Sequence, residues 1–452
     1  MMKTQLLLLG ALALGALPAQ AGVSAADAAR LKTELTPLGA ERAGNKSGRI
    51  PAWSGGTTTA SAADKSGGRR SDPFKDEKPL YTVSAKTMAQ HADQLSDGTK
   101  ALLQKYPDSY RLDVYPTHRT AAAPQWVYDN TLRNATQAKL VDGPAGPMPQ
   151  VAYGGIPFPV PANGAEVMWN HRLRWRGEAF RWDVRQYQVG ADGKRVLVND
   201  GAGDNQSPYY FRDQSPEKWN GNILDLRISN AGPPIRAGEA LLVRVNANDD
   251  KTAAWVYLVG QRRVRKLPNP CCDTPSPQTA GVMTFDELEG FAGQMDRFEW
   301  KLLGKKELLV PYNSNRTLQP TRDEDVIGTH HLNPDHVRWE LHRAWVVEAK
   351  VAPGKRHPSA RTLYYVDEDS WHVLLADRWD AQGQLARTVW QIPYVMPELP
   401  AVTTVTFGLH DLLAGTWYAN GIFNSKAEQY RAMPRYRDDT FSSEALAGQS
   451  LR

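Results

Sequence analysis

The chain has 452 residues, 41% of them hydrophobic and 23% charged, a globular balance that excludes a low-complexity protein and leaves room for one large domain or two. Lysine and arginine total 54 against 49 acidic residues, so the net charge of +5 would permit contact with an anionic surface but names no partner. The only cysteines, Cys271 and Cys272, are adjacent, which excludes a disulfide scaffold; a vicinal bridge stays open, and two free thiols are the expectation.

Lys3 is the first charge, followed by an apolar run over residues 6–17, Pro18 and Ala19-Gln20-Ala21. A basic start, an apolar stretch too short to span a bilayer and a small-x-small exit predict a secretory signal cleaved before Gly22. No cysteine stands at that junction to carry a lipid anchor. Ser24-Ala25-Ala26-Asp27 resembles a capping box and predicts a short helix to about Leu35, ended by Pro37 and Gly39. Residues 54–71 read as a loop, 84–106 as helical, and the Gly- and Pro-rich stretch 143–161 as irregular.

From Ala179 the period changes to two. Phe180, Trp182 and Val184 alternate with charged residues; Leu241, Val243 and Val245 alternate with Arg244. Residues 254–259 and 262–267 predict a hairpin about Gly260-Gln261. Thr284-Phe285-Asp286-Glu287 is a capping box that predicts a helix to about Met295. Val337, Trp339, Leu341, Trp345, Val347, Ala349 and Val351 predict one apolar face, with Arg338, Glu340, His342, Glu348 and Lys350 opposite. Further strands are predicted over 361–367, 371–379 and 385–392, which makes an antiparallel meander.

There is no G-x-S-x-G elbow, P-loop, H-E-x-x-H or dinucleotide fingerprint, which lowers the expectation of a hydrolase or nucleotide enzyme. His330, His331, Asp335 and His336 are the best metal candidates, but Pro334 places them on a loop, and exposed histidines are the simpler reading. Asp367-Glu368-Asp369 lacks the alternation of a calcium loop and reads as a turn. The basic run Arg262-Arg263-Val264-Arg265-Lys266 splits its charges over both faces of a strand. That suits a charged edge or a headgroup contact better than a nucleic-acid reader.

Several segments together resemble one bacterial family. They are Leu35-Thr36-Pro37-Leu38-Gly39-Ala40-Glu41-Arg42-Ala43-Gly44-Asn45, Ile50-Pro51-Ala52-Trp53-Ser54-Gly55-Gly56, Tyr257-Leu258-Val259-Gly260-Gln261-Arg262-Arg263-Val264-Arg265, Trp300-Lys301-Leu302-Leu303-Gly304-Lys305-Lys306-Glu307, His342-Arg343-Ala344-Trp345-Val346-Val347-Glu348-Ala349 and Tyr365-Val366-Asp367-Glu368-Asp369-Ser370-Trp371. The likeness is to the proteobacterial domain-of-unknown-function 1329 family, itself similar in its later part to outer-membrane lipoprotein-sorting proteins. The resemblance implies an α+β fold: a strongly curved antiparallel sheet, an incomplete barrel, covered by helices around an apolar cavity. It also implies service to resistance-nodulation-division type exporters, and it brings no catalytic residue to carry over; no metal or cofactor is expected.

The expected organisation is a signal at 1–21, a helical and loop region at 22–120, the sheet at 121–400 and a C-terminal extension at 401–452. The expected function is non-catalytic: a periplasmic carrier or binding protein for a lipid-like hydrophobic molecule, possible contact with the outer membrane included, and no nucleic acid. The alternatives are an accessory scaffold of an exporter or outer-membrane complex and, last, an envelope lipid hydrolase. Phe180, Trp182, Trp255, Trp339 and Trp345 are the expected cavity or core lining. Arg343 falls in phase with the apolar face of its strand, where an unpaired charge is too costly to persist. Either it pairs with Asp377, equally anomalous on a later strand, or it stands at a cavity mouth and holds a ligand's polar head. If the signal is as read, the exported protein begins at or next to Gly22; N-terminal sequencing that finds Met1 or Met2 retained would refute it.

Overall fold

Two runs of strands with period-two apolar rows build the molecule. The computed structural model describes residues 22–449 apart from 62, 63, 65–68, 144, 269, 270, 423 and 427–429. The expected signal at 1–21 lies outside the described residues.

The first run is β1 (Ala179–Val189), β2 (Arg195–Gln206), β3 (Asn222–Gly232), β4 (Ala240–Asn246), β5 (Ala253–Leu258) and β6 (Arg263–Lys266). The second is β7 (Phe298–Pro311), β8 (Trp339–Val351), β9 (Arg361–Asp367), β10 (Val373–Trp379), β11 (Leu385–Met396), β12 (Ala401–Asp411) and β13 (Thr416–Asn420). Each run is an antiparallel meander, and β13 pairs with β1, so the two fuse into one sheet. The α+β class and the curved antiparallel sheet are as expected, and the sheet does not close into a barrel. The basic strand β6 is one edge, with Arg263, Arg265 and Lys266 exposed, as suits a strand kept from further pairing by charge.

Helices α1 (Asp97–Lys105), α2 (Gln125–Gln137), α3 (Gly164–Arg172) and α4 (Ser443–Gln449) cover it. Ser96 caps α1 and Asn163 caps α3 through their side chains. One core gathers Val127 of α2, Val167 and Met168 of α3, and Val347, Tyr364, Ala376, Val389, Leu409 and Tyr418 of the sheet. The second lies on the other face, where Leu103 of α1, Ile50, Val83 and Val114 meet Trp339, Tyr365, Leu375, Trp390 and Trp417.

Several expectations are corrected. The single apolar row of β8 splits: Trp339 and Leu341 join the second core and Trp345, Val347 and Ala349 the first. Pairing with β9 covers Ala344 to Lys350 alone, so the start of β8 projects beyond its neighbour into the N-terminal cover. The boundary expected at residue 400 falls between two paired strands, so 401–420 is sheet and not extension. Lys139–Gly143 and Gly146–Gln150 form a small hairpin whose second strand lies inside the stretch expected to be irregular. The helix expected after Thr284 is a single tight turn, Phe285–Glu287, although its capping box is present.

The polar row expected on the other face of β8 is buried under the N-terminal region at Arg338, Glu340 and His342, with its charges paired, while Lys350 at its far end is exposed. Glu340 takes Arg338 Nε and the His118 N–H, with His342 Nε2 at 3.0 Å. Arg119 grips both oxygens of Asp369, at 2.9 and 2.7 Å. Arg343 does not pair with Asp377. Its Nε donates to Glu368 at 2.6 Å, and its Nη2 donates to the Glu41 and Ala43 carbonyls at 3.0 and 2.8 Å. Lys305 lies 2.8 Å from the same Glu368, and the Trp371 indole donates to Leu38 O at 2.8 Å. Segments 35–45, 300–307, 342–349 and 365–371, separate in sequence, thus meet in one ion-paired cluster.

Asp377 instead faces the start of α1. It accepts from Thr388 Oγ1 at 3.0 Å and Tyr365 Oη at 3.3 Å, and Gly98 sits so close that a Cβ there would lie 2.3 Å from Asp377 Oδ1. Burial outweighs the hydrogen bonds from the Gly98 N–H and Thr388 and pushes its carboxyl up to about 6. A carboxyl raised on folding favours the folded state below its unfolded pKa, and that advantage is lost as pH rises through about 6. Asp377→Asn should therefore match wild-type stability near pH 4 and exceed it by roughly 3 kcal/mol at pH 8. Denaturant unfolding of both proteins at the two pH values checks this; an equal difference at both would show that folding does not shift the Asp377 carboxyl.

Candidate functional site

The apolar wall comes from cross-strand pairs on β3 and β4: Leu224 opposite Val245, Leu226 opposite Val243 and Ile228 opposite Leu241. Period-two alternation puts all six on one face, while Asp225 and Arg227 point away, to Gln206 and Asp204. The neighbouring row of β2 is cut down to glycine. Gly203 stands opposite Trp182 and Ile228, and a Cβ there would lie 2.5 Å from the Trp182 ring. The indole therefore lies flat on the backbone and becomes part of the cavity floor. Phe407 of β12 and Asn420 of β13 bring the second meander to the same space.

An irregular segment, 271–294, closes over these walls and leaves a cavity of ≈160 Å³. Phe285, Leu288 and Ala292 face inward from it, with Ser276, Gln278 and Thr279. Its later half is clamped. Arg387 reaches both oxygens of Glu287 at 3.0 and 2.9 Å, Asp286 lies 2.7 Å from His357, and the buried Arg378 is 3.7 Å from Asp286. Burial works to raise the Asp286 carboxyl, and His357 and Arg378 overcome it and hold it below the usual range. The earlier half is held more lightly, through Asn199 Nδ2 to Gln278 Oε1 at 2.8 Å and backbone hydrogen bonds to the later half, from Phe285 N–H to Thr274 O at 3.0 Å and from Asp286 N–H to Cys272 O at 3.1 Å. Cys271 and Cys272 form a vicinal disulfide in place of the two free thiols expected, and Cys271 is part of the cavity wall.

Charge on the wall is confined to Arg176, Glu289 and Asp249. Arg176 and Arg174 both donate to Glu289, and Arg172 grips both oxygens of Asp249 at 2.6 and 3.2 Å. Burial pushes the Glu289 carboxyl up, and the two arginines outweigh it and keep it ionised.

Of the residues expected to line a cavity, Trp182 does so here. Phe180 is buried beside it against Tyr430, Tyr394 and Met396. Trp255 lies on the reverse of the sheet, under Phe441 and Leu446 of the C-terminal segment. Trp339 borders a second, smaller pocket of ≈40 Å³ with Tyr110, His331, Trp390 and His410. Trp345 stacks on Trp371 at 6.2 Å with Lys305 over its ring. Arg343, with its three partners, is a structural link and lines neither pocket. The row Leu224, Leu226 and Ile228 was missed, although its alternation with Asp225, Arg227 and Ser229 is plain in the sequence.

His330, His331, Asp335 and His336 do not converge. His330 stacks on Tyr106, His331 lies 2.9 Å from Ser109 Oγ, and Asp335 pairs with Arg111. Among the described residues one other trio, His342, Asp367 and Asp369, brings its ligand atoms within 4.8 Å of one another. Arg119 already takes both Asp369 oxygens, and Tyr312 and Ser370 donate to Asp367. A metal ion there would have to displace the guanidinium.

The cavity floor makes its own prediction. Gly203→Ala should push the Trp182 ring off the strand, change tryptophan emission and destabilise the fold by about 1–3 kcal/mol; unaltered emission and melting would mean that the ring does not rest on Gly203.

The family model described as protein of unknown function (DUF1329) matches residues 82–447. An uncharacterized protein of Pseudomonas aeruginosa is 38% identical over 468 residues, covering 100% of both chains. Among solved structures, a domain described as outer membrane lipoprotein-sorting from Vibrio parahaemolyticus is 12% identical and covers 63% of this chain and 98% of that one, with a TM-score of 0.44. A DUF1329 family protein from Desulfovibrio piger is 14% identical, covering 63% and 97%, with a TM-score of 0.43. Family model and full-length relative together make this chain a member of the DUF1329 family.

Proposed function

We propose that the protein is a non-catalytic carrier of a lipid-like hydrophobic molecule in the periplasm. The cavity between the β3–β4 wall and the 271–294 cover carries this reading. Burying apolar ligand surface there gains about 25 cal/mol per Å². At ≈160 Å³ the cavity suits a group about the size of benzene, below the roughly 300–1,000 Å³ typical of sites for larger ligands. A longer molecule therefore requires the cover to shift, and its lightly held half, 271–283, is the part that moves. The clamp at Asp286, Glu287 and Arg387 serves as the fixed end.

The signal-like sequence at 1–21 supports export, and no helix among the described residues is long and apolar enough to cross a membrane. Cargo would pass to or from an exporter or an outer-membrane component. A scaffold without cargo is the second reading, favoured by the exposed basic edge of β6.

Protein purified from the periplasm should carry a lipid-like molecule found by solvent extraction and mass spectrometry, and Val243→Asp, which sets a charge in the wall, should lose it. Empty wild-type protein that also shows no tryptophan response to a panel of lipids and steroids would sink the carrier reading, and a stable complex with an envelope partner would then favour the scaffold.

A further inference from the structure

The inward row of β2 reads Asn199, Gly201, Gly203, Asn205: two glycines that clear space, bracketed by two amides. Around Asn199 the polar groups form a patch. Gln186, its partner across β1 and β2, donates to Asn420 Oδ1 at 2.8 Å, and Asn199 donates to Gln278 of the cover at 2.8 Å. Three polar atoms on the cavity lining are left over. Gln186 Oε1, Asn205 Oδ1 and Ser276 Oγ are buried and have no hydrogen-bond partner among the described residues. These residues are 4%, 6% and 1% exposed and all line the cavity, so a bound molecule or water there is what can satisfy their polar atoms. Leaving such groups unmet is costly, and a purely hydrocarbon cargo would leave all three unmet.

The charges on the same wall argue against an anionic cargo. Arg176 is committed to Glu289, and the other two charged lining residues, Glu289 and Asp249, are carboxylates. A carboxylate or phosphate entering here would lose its hydration and find no guanidinium that is not already committed to Glu289 or Asp249.

We propose that the cavity selects a neutral amphiphile: an apolar body that lies on Trp182 and the β3–β4 wall, with a hydroxyl or amide that meets Gln186, Ser276 or Asn205. This rests on the carrier reading and adds a rule of selection to it. A hydroxyl both donates and accepts, so it serves these side chains whichever way their amides are turned.

The test uses 1-octanol, octane and octanoate at pH 8 with the full mature chain, read by calorimetry and tryptophan emission. Octanol should bind about tenfold or more tighter than either of the others. In the double variant Gln186→Met with Asn205→Leu, octane should bind at least as well as to wild type, and the preference for octanol should fall below about threefold. Retained octane binding shows that the variant keeps its cavity; should it fail to fold, the wild-type series decides alone. Octane equal to octanol, octanoate equal or tighter, or a preference unchanged in a folded variant would overturn the selection rule while leaving a carrier. Failure of all three to bind would overturn the carrier reading and this inference with it.

Discussion

The pairing of β13 with β1 is the contact on which the rest depends. Asn420 meets Gln186 and Trp417 meets Val189 across that seam, more than two hundred residues apart in sequence. Without it there are two separate meanders, each with an open apolar face. With it, Phe407 and Asn420 stand beside Trp182 and Gln186, and a wall from each meander borders one cavity. Such a seam carries the full cost of closing a long loop before its contacts form, so it depends on the cores on both sides of it. Trp417 and Tyr418, adjacent and both buried, anchor it by facing opposite cores.

The second consequence of a sheet this large is that both faces need cover. Helices α2 and α3 supply it on one side, and the N-terminal 36–120 region on the other. The second cover is not purely apolar. Arg119, Arg343 and Lys305 meet Glu368 and Asp369, and Arg338 meets Glu340, with hardly any of these groups in contact with water. Ion pairs of this kind contribute little net stability compared with apolar replacements, but breaking one is costly because the remaining charge is stranded. Their geometry also sets register. Arg343 reads two backbone carbonyls of the N-terminal segment, so it fastens that segment at one position on β8.

The division of labour in the cover follows the same physics. Charged clamps hold 286–290 on β10 and β11, while 271–283 rests on the Asn199–Gln278 hydrogen bond, backbone hydrogen bonds to Phe285 and Asp286, and apolar contact. A segment with few strong contacts opens at lower free energy than one with many. The cavity is therefore asymmetric, with a fixed end at Glu287 and a looser end at Gln278.

Much of this was open to reading from local pattern. The strands about Trp182, Val243 and Val347 followed from period two, because a pleated strand with one buried face must alternate, and those about Trp255 and Tyr364 and the charged edge at 263–266 from apolar or basic runs beside turns. The Gly201 and Gly203 positions and the row Leu224, Leu226, Ile228 were equally visible but passed over. Other features had no local signal. Whether Trp255 faces a ligand or the underside of the C-terminal segment depends on which face of the sheet is covered by what, and alternation is blind to that. Arg343 was rightly read as a charge that needs a partner, since desolvation demands one, but the partner was Glu368 and two carbonyls rather than Asp377. Strand order and register decide which charges meet, and both are set by pairings between distant segments. The sequence by itself determined element type, the alternating rows and the need to neutralise buried charge, all of which depend on neighbours within a few residues. Only the tertiary structure decided which rows share a face, which segment lies over them and where a cavity is left, because these follow from long-range contacts whose energies are collective.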